Sequence, residues 1–318
     1  GRYDSNYEGK GHDYPIGYVR WTENRNMKSV LRLIKDKKIN IDKLITNTYN
    51  FDKATSAYKE ISNNDKFTVG VSLKYSSKPE LKNKYILKQN SVKSSVNDIV
   101  KLGMIGAGSY AQGFLLPELG KHTMVNFEGI ATANGANTEH LGKKYGFKFI
   151  TTEASKIYNN SDINCVFIAT RHGNHAELVI NSLEKDKHTF VEKPLTIDKK
   201  DLKKIINSYK NSKGSLMVGF NRRFSPLIVK SKKILKGRNE PISINYRINA
   251  GRLPPEHWVH DSEDGGGRII GEVCHFVDLC NYLIGSKYES LTAKSLSSSS
   301  LNFIDEDNFS TLIKYKDG

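Results

Sequence analysis

Lys101-Leu-Gly-Met-Ile-Gly-Ala-Gly-Ser-Tyr-Ala111 runs a short apolar strand into a glycine turn and out into a helical stretch that continues to Leu119. Its core pattern is Gly106-x-Gly108-x-x-Ala111. Gly106 permits a tight turn. Gly108 lets the backbone come close to a pyrophosphate, and Ala111 lets the helix pack near the strand. The free N–H groups and positive end of the helix then face the phosphates. Ser109 and Tyr110 lie inside this turn and are candidate contacts with it. A plain tight strand-to-helix turn is the competing reading.

Downstream, strand-like runs fall at Val125–Ala131, Cys165–Ala169, His188–Val191 and Leu216–Val218. Helical runs lie between them at Thr138–Tyr145, Asn174–Leu183 and Asp198–Asn211. Strands alternating with helices of this length predict βαβ units and a parallel sheet. After about residue 221 the alternation stops. A helix over Pro226–Leu235, an alternating strand over Ile242–Ile248, a Pro/Gly-rich loop, a helix over Ile269–Ile284 and further strand-like runs predict an α+β domain. Tyr315-Lys-Asp-Gly318 reads as a strand entering a hairpin turn, so the second sheet is expected to be truncated.

An acidic residue about 20 positions past the glycine turn would hold a ribose 2′-hydroxyl. Here the second strand ends at Thr132-Ala133-Asn134, and Glu128 lies too early in it. An acid there would repel a 2′-phosphate, and its absence, with Lys143 and Lys144 in the next helix, tilts the expected cofactor to NADP over NAD. Thr132 is the candidate contact at that strand end.

Glu192-Lys193-Pro194 closes the fifth strand, where a side chain enters the crevice beyond the sheet. Lys193 there can bond a substrate hydroxyl and help move its proton; the competing reading is a solvated lysine. In the helix Ile269–Ile284, the expected buried residues are Ile269, Val273, Phe276, Cys280 and Leu283. Glu272, His275 and Asp278 share a neighbouring face, and a histidine flanked by carboxylates is suited to acid/base work. A polar surface cluster is the competing reading. Gly265-Gly-Gly267 before it permits close approach to a ligand.

Other chemistries find less support. Glu256-His257, His260-Asp261 and Cys274-His275 could ligate a metal, but no Cys-x-x-Cys or His-Glu-x-x-His occurs, and no metal is expected. There is no Gly-x-Ser-x-Gly elbow. Three cysteines do not make a disulfide framework, and Cys165 sits in an apolar strand as inert core. The net charge of +15 suggests polyanions, but it comes with no Arg-rich helix or basic-aromatic repeat, so an anionic small ligand is favoured over nucleic acid. No run approaches a membrane span. A reducing, cytoplasmic setting follows from the cysteines.

The first 75 residues show a helix with Met27, Val30, Leu31 and Ile34 on one face, Thr22 near its N-cap, and Lys35, Lys37 and Lys38 near its end. A short helix around Ala54, Tyr58 and Ile61 and a strand over Phe67–Leu73 follow. This makes a poor independent core, so the segment is expected to need a partner surface. Residues 76–98 read as a Lys-, Ser- and Asn-rich linker with the apolar patch Tyr85-Ile86-Leu87. The expected domains are thus 1–75, a linker over 76–98, 99–220 and 221–318.

Taken jointly, Gly106-Ala-Gly-Ser-Tyr-Ala111, Thr170-Arg-His-Gly-Asn-His175, Glu192-Lys-Pro194, Asn221-Arg-Arg-Phe224 and Gly265-Gly-Gly…His275 resemble the glucose-fructose oxidoreductase/inositol dehydrogenase/MocA-type family over about residues 99–318. The resemblance implies an α/β Rossmann domain with a doubly wound parallel sheet, then an α+β domain with an open, mostly antiparallel sheet. It implies NAD(P)-linked oxidation or reduction of a sugar, nucleotide sugar or cyclitol. Lys193 and His275 would be catalytic, with Glu272 in place of the carboxylate that the family often carries four residues before the histidine, where this chain has Gly271. Thr170, Arg171, His172, His175 and Glu192 would lie by the cofactor, and Arg222 and Trp258 by the substrate. A homo-oligomer through the open sheet is expected. The altered residue 271 leaves a catalytically silent dinucleotide-binding regulator as the alternative.

Residues about 10–73, through Tyr14-Pro-Ile-Gly-Tyr-Val-Arg-Trp-Thr-Glu-Asn-Arg-Asn-Met27 and Leu44-Ile-Thr46, resemble the tail of a zinc-type medium-chain alcohol dehydrogenase. That combination resembles two-part oxidoreductases of bacterial surface-polysaccharide clusters. It implies a dehydrogenase module ahead of this piece.

Overall fold

A computed structural model describes residues 4–62, 68–75, 84–86, 99–133, 135–296 and 307–316. The chain divides into two units, Gly1–Leu81 and Lys82–Gly318.

In the first unit, helix α1 (Glu23–Lys35) begins at Thr22, whose hydroxyl accepts from the Arg25 amide at 3.3 Å. Arg32 and Lys35 occupy its last turn, where cations complement the helix dipole. Strand β1 (Ile45–Asn50), helix α2 (Ala54–Ser62) and strand β2 (Gly70–Lys74) follow, and β1 and β2 pair in parallel. The strand expected from Phe67 thus begins at Gly70; residue 67 lies outside the described residues. Gly70 is required by packing, since a Cβ there would stand 2.6 Å from the Leu44 carbonyl oxygen. Among the described residues of this unit only Thr22 and Ala57 are buried, and the α1 face of Met27, Val30 and Leu31 is exposed.

The second unit is built on a seven-stranded sheet in the order β3-β6-β5-β4-β7-β8-β9. Its strands are β3 (Lys84–Ile86), β4 (Val100–Ile105), β5 (Val125–Ala131), β6 (Phe149–Thr151), β7 (Cys165–Ile168), β8 (His188–Val191) and β9 (Leu216–Val218). All pairings are parallel except β3 with β6. A one-residue-wider π-type turn, Ala111–Leu115, leads into α3 (Leu116–Leu119). Then come α4 (Gly135–Tyr145), α5 (Ser155–Tyr158), α6 (His175–Leu183) and α7 (Lys199–Asn211). Two apolar layers cover the sheet. One gathers Ile157, Ile163, Val166, Val179, Leu183 and Ile205, the other Met104, Leu116, Ile130, Leu141 and Phe147.

From β4 the strand order runs outward both ways, which opens a crevice beyond its carboxyl end. Asp198 caps α7 by accepting from the Lys200 amide at 2.7 Å, so that helix starts one residue after the expected Asp198. Cys165 is packed in β7, and burial pushes its thiol up to about 11, as an inert core position requires.

The linker reading needs correction at Lys84–Ile86. These residues form the antiparallel edge strand, with the Lys84 ammonium 4.1 Å from the Phe149 ring centroid. Residues 76–83 and 87–98, including Pro79 and Leu87, lie outside the described residues. Strand β6 and helix α5 were not anticipated.

Beyond Val218 the chain forms α8 (Pro226–Leu235), a long loop, a π-type turn over Ile269–Val273, α9 (Cys274–Ile284), and strands β10 (Tyr288–Ser295) and β11 (Phe309–Tyr315). Gly285, at φ +84°, ends α9 in the left-handed region that glycine favours. Strands β10 and β11 pair antiparallel, and the Tyr315 hydroxyl donates to Asn281 of α9 at 2.7 Å.

Two expectations fail here. Ile242–Ile248 is not a strand: alternation favours extended backbone, but a ladder needs a neighbouring edge, and β10 and β11 pair only with each other among the described residues. The buried face of the last helix is also shifted. Leu283 is buried as expected, but Gly271, Asp278 and Leu279 are buried too, Val273, Phe276 and Cys280 are half-buried, and Ile269 is exposed. The π-type turn adds a residue to one turn and rotates every later side chain away from a uniform 3.6 period. Lys316 lies in a turn after β11; residues 317 and 318 lie outside the described residues.

Candidate active site

The glycine turn stands where β4 ends. Gly106 has φ +82°, and a Cβ on it would lie 2.5 Å from the Ala169 carbonyl oxygen, so only glycine fits. Around Gly108, by contrast, an added Cβ would meet nothing within 4 Å. The backbone there is open to a ligand on that side, as a pyrophosphate cradle requires. Ala111 is 1% exposed and lets the outgoing helix sit against the sheet. Ser109 is exposed at the helix start. The Tyr110 hydroxyl accepts from Asn221 at 2.9 Å, which ties the turn to the start of the second domain. These residues fit a dinucleotide.

At the end of β5, Thr132 donates its amide to the Thr151 carbonyl at 3.2 Å and shares a hydroxyl hydrogen bond with Thr138. Glu128 is buried in mid-strand and paired with Lys148 at 2.7 Å, so it does not reach a ribose from there. Lys143 is held by Glu139 at 2.6 Å, and Lys144 lies over the Tyr145 ring.

Lys193 follows β8 and is joined to Pro194 by a cis peptide bond. Its ammonium donates to the Gly271 carbonyl at 2.7 Å, just one turn before His275. Glu192 stands beside it with Oε1 buried and unpartnered; a Cβ on Gly219 would lie 2.8 Å from that oxygen. Burial pushes the Glu192 carboxyl up to about 7, against the opposing pull of Lys193. Burial likewise holds His275 down at about 4, with the charges of Lys193 and Arg222 acting the same way. His275 is thus a neutral ring at neutral pH. Its Nδ1 is buried without a partner, and the Phe220 ring meets it edge-on. The neighbouring Cys274 thiol is pushed up to about 11 by burial and stays protonated.

The carboxylates expected to flank His275 are spoken for. Glu272 accepts from Arg268 at 3.0 and 3.3 Å through Oε2, one turn back on its own helix, which ties that oxygen to Arg268. Asp278 takes a two-point hydrogen bond from Arg223. Position 271 could not carry an acid as the backbone stands, because a Cβ there would lie 2.9 Å from His172 Cε1.

The segment Thr170–His175 lines the crevice mainly as a brace. The Thr170 hydroxyl turns to the Arg171 carbonyl at 3.2 Å. His172 is 7% exposed, bonds the Gly265 carbonyl through Nδ1 at 2.8 Å and meets Trp258 edge-on. His175 is fully buried, with Nδ1 2.7 Å from the Pro194 carbonyl and Nε2 3.2 Å from that of Thr170. In its neutral form the ring has one N–H to give to one of these two carbonyls, and it lies between the loops that carry them. Arg171 pairs with Asp264 at 2.5 Å and lies over Trp258, whose ring is packed between Arg171 and His172.

Close approach does occur at the glycine run, but to protein. A Cβ on Gly265 would strike Val259, and one on Gly266 would strike Ile197. Asp264 was missed as a part of this framework, and Gly173 and Asn221 entered only as members of quoted motifs, with no contact assigned to them. Gly173 offered a signal, since a Cβ there would lie 2.0 Å from the Glu263 carbonyl oxygen, but only the folded backbone reveals that contact.

Residues 100–220 match the family described as "Oxidoreductase family, NAD-binding Rossmann fold", and residues 238–318 match "GFO/IDH/MocA C-terminal domain". An inositol 2-dehydrogenase of Rhizobium meliloti is 29% identical over 198 residues, covering 61% of this chain and 58% of that protein. A levoglucosan dehydrogenase of Pseudarthrobacter phenanthrenivorans is 29% identical over 163 residues, covering 49% of this chain and 42% of that protein. This chain therefore spans about half the length of these relatives. A solved structure of levoglucosan dehydrogenase with NADH and levoglucosan superposes with a TM-score of 0.56 at 22% identity, covering 68% of this chain and 64% of that one. With matches to both domains over well over half of its length, the chain belongs to the Gfo/Idh/MocA oxidoreductase family.

Proposed function

We propose that this protein is an NAD(P)-dependent oxidoreductase that acts on a CH–OH group of a sugar, nucleotide sugar or cyclitol. The observation that carries the reading is the placement of Lys193 on the Gly271 carbonyl, one turn before the neutral His275, at the sheet end that also bears the open Gly108 turn. Gly106, Gly108, Ser109, Tyr110 and Ala111 would hold the dinucleotide, with Thr132 at its ribose and Thr170, Arg171 and Glu192 toward its reactive end. The chemistry such a cofactor supplies when bound is hydride acceptance or donation. Lys193 keeps two N–H bonds free of Gly271 and orients the substrate hydroxyl. His275, whose Nδ1 is shut away, accepts the hydroxyl proton at Nε2 in the oxidation direction and returns it in reduction. The relatives named for inositol and levoglucosan support a polyol-like substrate.

Titration of the folded protein with NADH and NADPH, followed by nicotinamide fluorescence, tests the site. Saturable binding lost in Gly108→Asp is expected; absence of binding to either by a folded protein would overturn the reading. The engagement of Glu272 by Arg268 favours one alternative, a dinucleotide-binding regulator without turnover. Oxidation of any sugar or cyclitol in a broad panel would dismiss it.

Finer assignments extend this reading. The first unit, with its parallel β1–β2 pair and helices α1 and α2, is read as the tail of a medium-chain dehydrogenase module, and the chain as part of a surface-polysaccharide oxidoreductase. The domain limits 1–75, 76–98, 99–220 and 221–318, the cytoplasmic setting and self-association through the β10–β11 sheet belong to the same proposal.

A further inference from the structure

The charges around His275 do not cancel. Arg171 faces Asp264, Arg223 faces Asp278, and Arg268 faces Glu272 and Asp307. Two cations are left over. Lys193 rests on a neutral carbonyl. Arg222 lies over the Phe276 ring, 4.6 Å from its centroid, and makes no ion pair among the described residues. Phe276 adjoins His275, and Phe220, two residues before Arg222, meets the His275 ring edge-on, so both cations border the same histidine. Their joint effect on His275 agrees with that placement.

Among the described residues, the routes by which the protein could supply the missing counter-charge are closed. Residue 271 is glycine, and His172 fills the space its side chain would need. Among the described residues, Glu192 is the one neighbouring carboxyl outside the ion pairs. Its Oε1 is buried against Gly219 and Phe190, on the Tyr110 side of Lys193, and burial favours its uncharged form. The cofactor's phosphates would be met at the Gly108 turn, so they do not answer Arg222. A guanidinium over a ring can keep N–H groups for an anion and pairs with it more strongly when water is displaced.

We propose that the substrate carries an anionic substituent, a carboxylate or a phosphate, on its sugar or cyclitol ring, and that Arg222 is the residue that recognises it. The proposal rests on the oxidoreductase reading above. Isothermal titration of the full chain saturated with NADH tests it, with D-glucose, D-glucuronate and D-glucose 6-phosphate as probes. At least one acidic probe is expected to bind about ten-fold tighter than glucose, with Arg222→Met reducing that preference to about two-fold or less and Arg222→Lys retaining part of it. Which acidic probe gains identifies the anion. Equal affinities, a preference for glucose, a preference that survives Arg222→Met, or no binding of any probe would overturn the proposal. Failure of NADH itself to bind would instead overturn the oxidoreductase reading, and this inference with it.

Discussion

Lys193 donates one of its three N–H bonds to Gly271, so its removal takes away substrate orientation and leaves the glycine turn untouched. Lys193→Met is expected to lower kcat by about 10²–10⁴-fold while the NADH Kd changes by about two-fold or less. Single-turnover rates and fluorescence titration check the two halves, and an unchanged kcat would refute the assignment. Glu272 gives the contrasting case. Its carboxylate serves Arg268, whose side chain is almost fully buried, rather than His275. Glu272→Gln should therefore lower the Tm and leave kcat within about three-fold of the parent, since the change removes an ion pair and no proton carrier. A kcat loss as large as that of Lys193→Met would restore Glu272 to catalysis. The sequence made Lys193 legible because a strand end in a parallel sheet points into the crevice. It could not reveal that Glu272 is taken, because Arg268 four residues earlier is equally compatible with a solvated pair.

At the level of elements, the alternating pattern from Val100 to Val218 was readable because the central strands β4 and β5 are largely buried and the helices cover the sheet with apolar layers, so hydrophobic period and fold agree. Strand β6 escaped, and Ile242–Ile248 was misassigned, because a lone alternating run does not specify its partner. The π-type turn Ile269–Val273 was also invisible, since a widened turn changes hydrogen bonding without a marker residue. That turn is where the site is most tightly constrained. Adding a methyl group at Gly271 brings it 2.9 Å from His172 Cε1, and His172 is anchored by Gly265 and Trp258. Gly271→Ala is expected to cost about 1–3 kcal/mol of stability, as overpacking does. It should also lower kcat by moving the carbonyl that holds Lys193. Urea unfolding together with steady-state rates measures both. A variant with parental stability and activity would show that His172 yields freely, and that the turn is not the brace described.

On the scale of the whole molecule, the net charge of +15 sits on exposed lysines, whereas the groups that depart furthest from ordinary titration are gathered in the crevice. Burial holds His172 and His275 at about 4, below the usual 6.5, and lowers His175 as well. Between pH 6.5 and about 4 the unfolded chain binds those protons and the folded chain does not, so these histidines make stability fall as the medium is acidified. Glu192 works in the opposite sense. Its carboxyl is raised from 4.5 to about 7, so between those values the folded chain keeps a proton that the unfolded chain releases. That contribution is present at pH 5 and lost as pH rises through 7. The wild-type Tm should therefore drop between pH 7 and pH 5 by less than the histidines alone dictate, and Glu192→Gln, which cannot titrate, should drop further over the same interval. Calorimetry of both proteins at the two pH values is the measurement. Parallel drops would mean that Glu192 is ionised in the folded protein, restoring a carboxylate next to Lys193 and weakening the case for an anionic substrate.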